Sequence, residues 1–353
     1  MNRIVLTGGG SAGHVTPNLA LLPELQKLGW DIHYIGTYDG IERQLIGDLI
    51  PYHPISAGKL RRYFDLKNFT DPFRVLKGIM QSFIILSKIR PNIVFSKGGF
   101  VSLPVAVAAK TLGIPVILHE SDLTPGLANK LSLPFAKHLC VTFPETLKYV
   151  KDGKATLTGN PIRQELLTGD KSRAYQLCNF QPELPVILVM GGSLGAVSIN
   201  NVLRESLPEL TKAFQIVHIC GKGNLDSSLN EYPRYKQYEY ISEGLSDIFA
   251  MADLVISRAG ANAIFELLAL RKAHLLIPLS STASRGDQLL NAESFRKQGF
   301  SMVLPEEELT PGNLISAIKQ LAHDKDKYIK AMETSKQANA IDAIMEIIQI
   351  YCK

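Results

Sequence analysis

From one end of the chain to the other, short apolar runs alternate with segments in which apolar residues recur at helical spacing. Continuous apolar runs suit strands buried on both faces, and the amphipathic stretches between them suit crossover helices, so the pattern predicts parallel sheets. Strands are expected near residues 2–7, 31–36, 92–96, 115–119 and 138–142. A second set starts with Val186-Ile187-Leu188-Val189-Met190 and continues near 215–220, 237–241, 253–257 and 273–277. Between the sets, Thr158-Gly159-Asn160-Pro161-Ile162-Arg163 breaks both periodicities, which puts a junction there. Two doubly wound α/β domains are expected, residues 1–162 and 163–335, with a C-terminal helix in 336–353 that can pack back on the first.

Composition agrees and narrows the class. A chain of 353 residues, 46% hydrophobic and 20% charged, has ample material for cores, which excludes a disordered, collagenous or disulfide-stapled protein. The four cysteines, at 140, 178, 220 and 352, show no CxxC spacing, so a reducing compartment is expected. The apolar run after Met1 reaches glycine too soon for a signal-peptide core, and no stretch approaches the ~20 apolar residues that span a bilayer. The net charge of +5 is unevenly placed, with +7 over residues 1–162 and −2 over 163–353. Residues 58–90 alone carry an excess of +6.

In open parallel sheets ligands bind beyond the carboxyl ends of strands, so the turns there carry the functional information. The first is Gly8-Gly9-Gly10-Ser11-Ala12-Gly13-His14, which satisfies GxGxxG and opens a helix. A dinucleotide site would need an acid at the end of the second strand to hold a ribose, but that strand ends Tyr34-Ile35-Gly36-Thr37 and Asp39 comes late. The second turn is Ser96-Lys97-Gly98-Gly99-Phe100-Val101. In the third, Gly191-Gly192-Ser193-Leu194-Gly195-Ala196, Ser193 reads as a nucleophile elbow, as a helix cap that meets a phosphate, or as part of a structural turn. The fourth runs on from Asp253 to Ser257 with Arg258-Ala259-Gly260-Ala261-Asn262-Ala263-Ile264-Phe265-Glu266. Small residues opening a helix expose N–H groups to a diphosphate, and a carboxylate about one turn in can accept from both ribose hydroxyls. Ser284 to Ala292, with Gln288, adds polar groups after another buried strand.

In combination and order, GGGSAGH, SKGGFV, His119-Glu120-Ser121-Asp122, Pro125 to Lys130, TGNPIR, GGSLGA and SRAGANAIFE cover essentially the whole chain. On them the sequence resembles the MurG family of peptidoglycan glycosyltransferases. The resemblance implies a GT-B fold, two Rossmann-like domains facing across a cleft. It also implies inverting transfer of N-acetylglucosamine from UDP-N-acetylglucosamine to the C4 hydroxyl of a lipid-linked muramyl pentapeptide, lipid I to lipid II. By motif, Ser193 and Arg163 would contact the diphosphate, Ile241 would present backbone to the uracil, and Ala261, Asn262, Ala263 and Ile264 would cap the diphosphate. Glu266 would hold the ribose and Gln288 would help position the donor. Ser11, Ala12 and Gly13 would lie near the reacting sugar, with His14 and Glu120 as the titratable groups near the acceptor. This chain departs from the family in two places, carrying Ser11-Ala12 for a usual Thr-Gly pair and Asp122 for a common Asn.

No cofactor is expected, and no protein-held metal: the only DxD, Asp324-Lys325-Asp326, lies in a charged surface run. The basic stretch 58–90 reads either as the solvated exterior of a crossover helix, with some of its apolar residues facing the core, or as an interfacial patch. In the second reading Lys59, Arg61, Arg62 and Lys77 meet anionic lipid or the acceptor diphosphate while Phe73 and Phe83 enter the headgroup region. Nucleic acid is not expected, since no binding module is present. The resulting expectation is a peripheral enzyme on the cytoplasmic membrane face. A transferase with another lipid acceptor, such as diacylglycerol, and a non-catalytic sugar-nucleotide binder are the alternatives.

Overall fold

The computed structural model describes residues 1–58, 71–150, 153–192, 195–241, 243–280, 286–335 and 340–352. The chain divides into two compact units, Met1–Arg163 with Asn339–Lys353, and Gln164–Ala338. The first contains β1 (Arg3–Thr7), β2 (Asp31–Thr37), β3 (Tyr52–Ile55), β4 (Ile93–Ser96), β5 (Val116–Glu120), β6 (His138–Val141) and β7 (Ala155–Leu157). They form one parallel sheet in the order β3-β2-β1-β4-β5-β6-β7. The second contains β8 (Val186–Met190), β9 (Gln215–Ile219), β10 (Tyr235–Tyr238), β11 (Leu254–Ser257), β12 (Ala273–Leu276) and β13 (Met302–Val303). These are also parallel, in the order β10-β9-β8-β11-β12-β13. Strand order reverses between β1 and β4 and between β8 and β11, so the loops leaving each pair part and open a crevice.

The central strands explain the continuous apolar runs. Ile4, Leu6, Ile32, Phe95 and Ile117 point to one face of the first sheet, where they pack with Leu21, Leu25 and the C-terminal helix residues Ile344 and Ile348. Their neighbours Val5, Val94, Val116 and Leu118 point to the other face, against Leu86, Val105 and Ala109. The helix Ala340–Tyr351 thus completes a core of the first unit.

Three strands have no counterpart in the sequence expectation: β3, β7 and β13. All lie at sheet edges, where one side needs no partner and half-exposed residues suffice. Pro54 in β3 is tolerated for the same reason.

The helix Asp71–Ile89 turns few of its large apolar residues to the core, Leu86 and Ile89 among them. Its buried face is Asp71, Gly78, Ser82, Leu86 and Ile89. Gly78 allows close approach, since a Cβ there would run into the Ser56 carbonyl. Phe73, Leu76, Met80, Phe83 and Ile84 are exposed instead, Phe73 at 72% and Met80 at 68%. Their spacing puts them on one outward stripe, with Lys77 also exposed.

Candidate active site

In the first unit the loops after β1, β4 and β5 meet at the crevice. After β1, Gly8 to Ser11 lead into a single turn, Ala12–His14, and then the helix Thr16–Lys27. Ser11 is exposed and Ala12, Gly13 and His14 are half-buried. The His14 Nδ1 lies 3.1 Å from the Gly9 carbonyl and 3.0 Å from Ser11 Oγ. A carbonyl only accepts, so Nδ1 carries the proton and Nε2 is the basic nitrogen of the neutral ring. Gly9 N–H donates to the Gly98 carbonyl at 3.3 Å, joining the first two loops. Gly99, at φ +82°, is required there because a Cβ would strike the Gly9 backbone.

A residue absent from the sequence expectation organises this loop. Glu42, fully buried on the helix Ile41–Ile46, accepts from Gly10 N–H (3.2 Å), Thr37 N–H (3.0 Å) and Thr37 Oγ1. A Cβ on Gly9 or Gly40 would meet its carboxyl. By sequence an acid in a helix's first turn reads as an exposed partner of the dipole, and only the nearby glycines hint otherwise. Beside Gly10 opens a cavity of about 550 Å³, lined by Tyr38, Asp39, Asp71, Arg74 and Phe100 among others.

After β4 and β5 lies a buried polar network. Lys97 is 1% exposed, and its Nζ donates to His119 Nδ1 at 2.7 Å and to Ser121 Oγ. His119 Nε2–H donates to the Gly159 carbonyl at 2.9 Å, which fixes the tautomer. Burial, then the Lys97 charge, holds the His119 pKa well below its ordinary value. Glu120 Oε1 accepts from Asp122 N–H (3.1 Å), and Oε2 from Gly126 N–H (2.8 Å) and Asn129 Nδ2 (2.9 Å). Burial raises the Glu120 pKa against those bonds. Asn129 also donates to the His119 carbonyl at 3.1 Å. The sequence singles out neither Lys97 nor Asn129, each being one polar residue in a glycine motif.

The Lys97 amine is pushed down to about 7 by burial, against the pull of the Glu120 and Asp122 carboxylates. The unfolded chain keeps this proton up to about 10.5 and the folded protein only to about 7. Between them the unfolded state binds more protons, so this group makes stability rise with pH in that window. Urea unfolding from pH 7 to 10 should show a rise in wild type that is reduced in Lys97→Met; parallel slopes would contradict it.

In the second unit, β8 and β11 are neighbours, which brings the third and fourth turns side by side. Ser193 lies outside the described residues. Gly260 begins the helix Ala261–Ala269 without a side-chain cap, so the first N–H groups, at Ala261, Asn262 and Ala263, point out of the helix end. Ile264 N–H already bonds the Gly260 carbonyl at 3.1 Å, and Glu266 is half-buried within the helix. Ile241 is buried just after β10. Gln288 Oε1 accepts from Leu279 N–H at 3.1 Å, which leaves its NH₂ as the donor. Arg163 is half-buried and ends the first unit.

A buried ion pair holds these strand ends together. Arg258 donates to the Ile277 carbonyl (3.2 Å), Ser198 Oγ (3.0 Å) and Glu306 Oε1 (2.5 Å), and Glu306 Oε2 accepts from Ser280 N–H at 3.1 Å. Burial pushes the Glu306 carboxyl up, but bonds from Ser198 and Arg258 outweigh it and hold the pKa below the ordinary range. In the DxD run Asp324 pairs with His323 and Lys325 with Asp253, both at 2.8 Å. Lys59, Arg61 and Arg62 lie outside the described residues.

The chain matches the glycosyltransferase family 28 N-terminal domain over residues 4–141 and the family 28 C-terminal domain over residues 186–347. A curated relative from Clostridium perfringens is 59% identical over 98% of both chains, and one from Lachnospira eligens is 60% identical over 99% of both. Both are named UDP-N-acetylglucosamine–N-acetylmuramyl-(pentapeptide) pyrophosphoryl-undecaprenol N-acetylglucosamine transferase. A crystal structure of Acinetobacter baumannii MurG is similar with a TM-score of 0.78 and 27% identity, over 99% of this chain and 100% of that one. The structure of the kitacinnamycin glycotransferase shares the fold alone, with a TM-score of 0.77 and 17% identity over 99% of both chains.

Proposed function

Because the chain belongs to glycosyltransferase family 28, we propose that it transfers N-acetylglucosamine from UDP-N-acetylglucosamine to the C4 hydroxyl of a lipid-linked muramyl pentapeptide, forming lipid II from lipid I. The observation that carries this reading is the near full-length identity of 59–60% to curated transferases of that name.

An inverting transfer needs a base for the attacking hydroxyl and stabilisation for the departing UDP. His14 is assigned the first role. Its Nδ1–H is engaged by the Gly9 carbonyl, which orients the ring and makes Nε2 the basic nitrogen that takes the proton. Glu120 is assigned a positioning role, because both its oxygens already accept N–H groups that shape the 121–126 turn. The acceptor's muramyl end is assigned to the cavity beside Gly10, whose volume of about 550 Å³ supports the reading.

For the donor, the Ala261–Ile264 end of its helix meets the diphosphate with N–H groups and positive partial charge, and Arg163 and Ser193 add to this. Glu266 takes the ribose hydroxyls, the Ile241 backbone the uracil and the Gln288 NH₂ the sugar nucleotide. Ser11, Ala12 and Gly13 face the reacting sugar. Label from UDP-N-acetylglucosamine should enter a muramyl lipid and not diacylglycerol offered beside it. Transfer to diacylglycerol, or donor binding without turnover, would replace this reading by one of its rivals.

A polyprenyl acceptor implies a membrane surface. None of the described helices is long and apolar enough to cross one. We place the protein peripherally on the cytoplasmic face, with the exposed stripe Phe73, Leu76, Met80, Phe83 and Ile84 in the headgroup region, Lys77 near lipid phosphates and Lys59, Arg61 and Arg62 nearby in sequence. Burying one such side chain contributes roughly 1.5–3 kcal/mol. Phe73→Ser with Met80→Ser should therefore cut co-sedimentation with anionic vesicles at least about tenfold. Neutralising Lys59, Arg61, Arg62 and Lys77 should lower it in a salt-dependent way. Unchanged sedimentation in both would show that this surface does not meet the membrane.

A further inference from the structure

The reaction as assigned above makes no use of Lys97, although it is the most completely buried cation among the described residues. Its Nζ bonds His119 and Ser121 and the side chain is buried from solvent, so it does not reach a substrate. Its effect falls on the adjoining backbone. Lys97 is the last side chain before Gly98 (φ +100°) and Gly99 (φ +82°). Glycines in the left-handed region have little preference of their own, so the course of this turn is set by the groups that anchor its ends.

That turn forms the seat of His14. The Gly98 carbonyl accepts Gly9 N–H at 3.3 Å. The same Gly9 accepts His14 Nδ1–H on its own carbonyl at 3.1 Å, so the residue that the Gly98 carbonyl holds is the one that orients the imidazole. On the other side the Lys97 amine reaches the end of β5 and, through His119, the Gly159 carbonyl near the end of the first unit. The groups facing the amine are His119, Ser121, Glu120, Asp122 and Cys140.

We propose that Lys97 is a positioning residue for the transfer: its buried amine fixes His119 and Ser121, and thereby the Gly98 carbonyl that holds Gly9, whose own carbonyl orients His14. The role is specific to an N–H donor. A methionine fills similar space but leaves His119 Nδ1 without its donor, so the imidazole no longer has one preferred tautomer and its bond to Gly159 is no longer enforced.

This inference rests on the transferase reaction proposed above, and the test separates the two. Transfer to lipid-linked muramyl pentapeptide is measured for wild type, Lys97→Met, His119→Phe, the double variant and His119→Gln, each corrected for folded fraction by thermal melting. Lys97→Met is expected to lower kcat about ten- to hundredfold while KM for UDP-N-acetylglucosamine stays within about twofold. His119→Phe should match it, and the double variant should lose little more, as members of one unit do. His119→Gln retains an acceptor for Lys97 and a donor for Gly159, so it should keep more activity than His119→Phe. If Lys97→Met does not fold, Ser121→Ala removes one of its two bonds and should give a smaller fall of kcat at constant KM. A folded Lys97→Met or Ser121→Ala with wild-type kcat, or losses that simply multiply in the double variant, would overturn the positioning role and leave the reaction standing. An inactive wild type would overturn the reaction and the role together.

Discussion

Replacing His14 by alanine should lower kcat about 10²–10⁴-fold, the range expected for removing a general base, while KM for UDP-N-acetylglucosamine should change little. His14→Gln is the more telling variant. It keeps a donor for the Gly9 carbonyl, and with it the shape of the glycine turn, but offers no basic nitrogen. If His14 serves as base, both variants are slow. If its task is to brace the loop, His14→Gln retains most of the rate. Single-turnover kinetics with saturating donor and acceptor separates these outcomes from effects on binding.

Glu42→Ala is expected to cost on the order of 2–3 kcal/mol of stability and to abolish most transfer. The loss has an identifiable origin. The Gly10 and Thr37 N–H groups and the Thr37 hydroxyl would lose their acceptor in a half-buried site, and the glycines packed against the carboxyl would face a void. Glu42→Gln keeps the volume and one acceptor oxygen, so it should fall between alanine and wild type. Urea unfolding followed by fluorescence and far-UV dichroism measures the first effect, and transfer rate per folded molecule the second. A Glu42→Ala protein of wild-type stability would show that the carboxylate does not organise the loop.

These two residues mark the limits of legibility in the sequence. His14 stands out because a glycine turn after a strand exposes the residues that succeed it, and the same logic exposes the helix opening at Gly260. Glu42 does not, because its meaning depends on backbone N–H groups five and 32 residues away, which no local pattern encodes. Lys97 is hidden for the same reason, its partners lying 22 and 24 residues on. The helix Asp71–Ile89 shows a different limit. Periodicity shows that its apolar residues share a face but not which way that face points, and here Gly78 and Ser82 let the other face pack closely. Edge strands such as Tyr52–Ile55 escape notice because a half-exposed strand beside one neighbour needs neither an apolar run nor strict alternation.

Everything proposed for these residues depends on the chain being an inverting N-acetylglucosamine transferase that acts on a lipid-linked muramyl pentapeptide. Purified protein, UDP-N-acetylglucosamine and that acceptor suffice to decide it, by measuring UDP release together with the structure of the lipid product. One UDP per sugar transferred is expected, with a single N-acetylglucosamine in β linkage on the C4 hydroxyl of the muramyl residue. UDP release with free N-acetylglucosamine as the only sugar product, or an α-linked disaccharide, would contradict it.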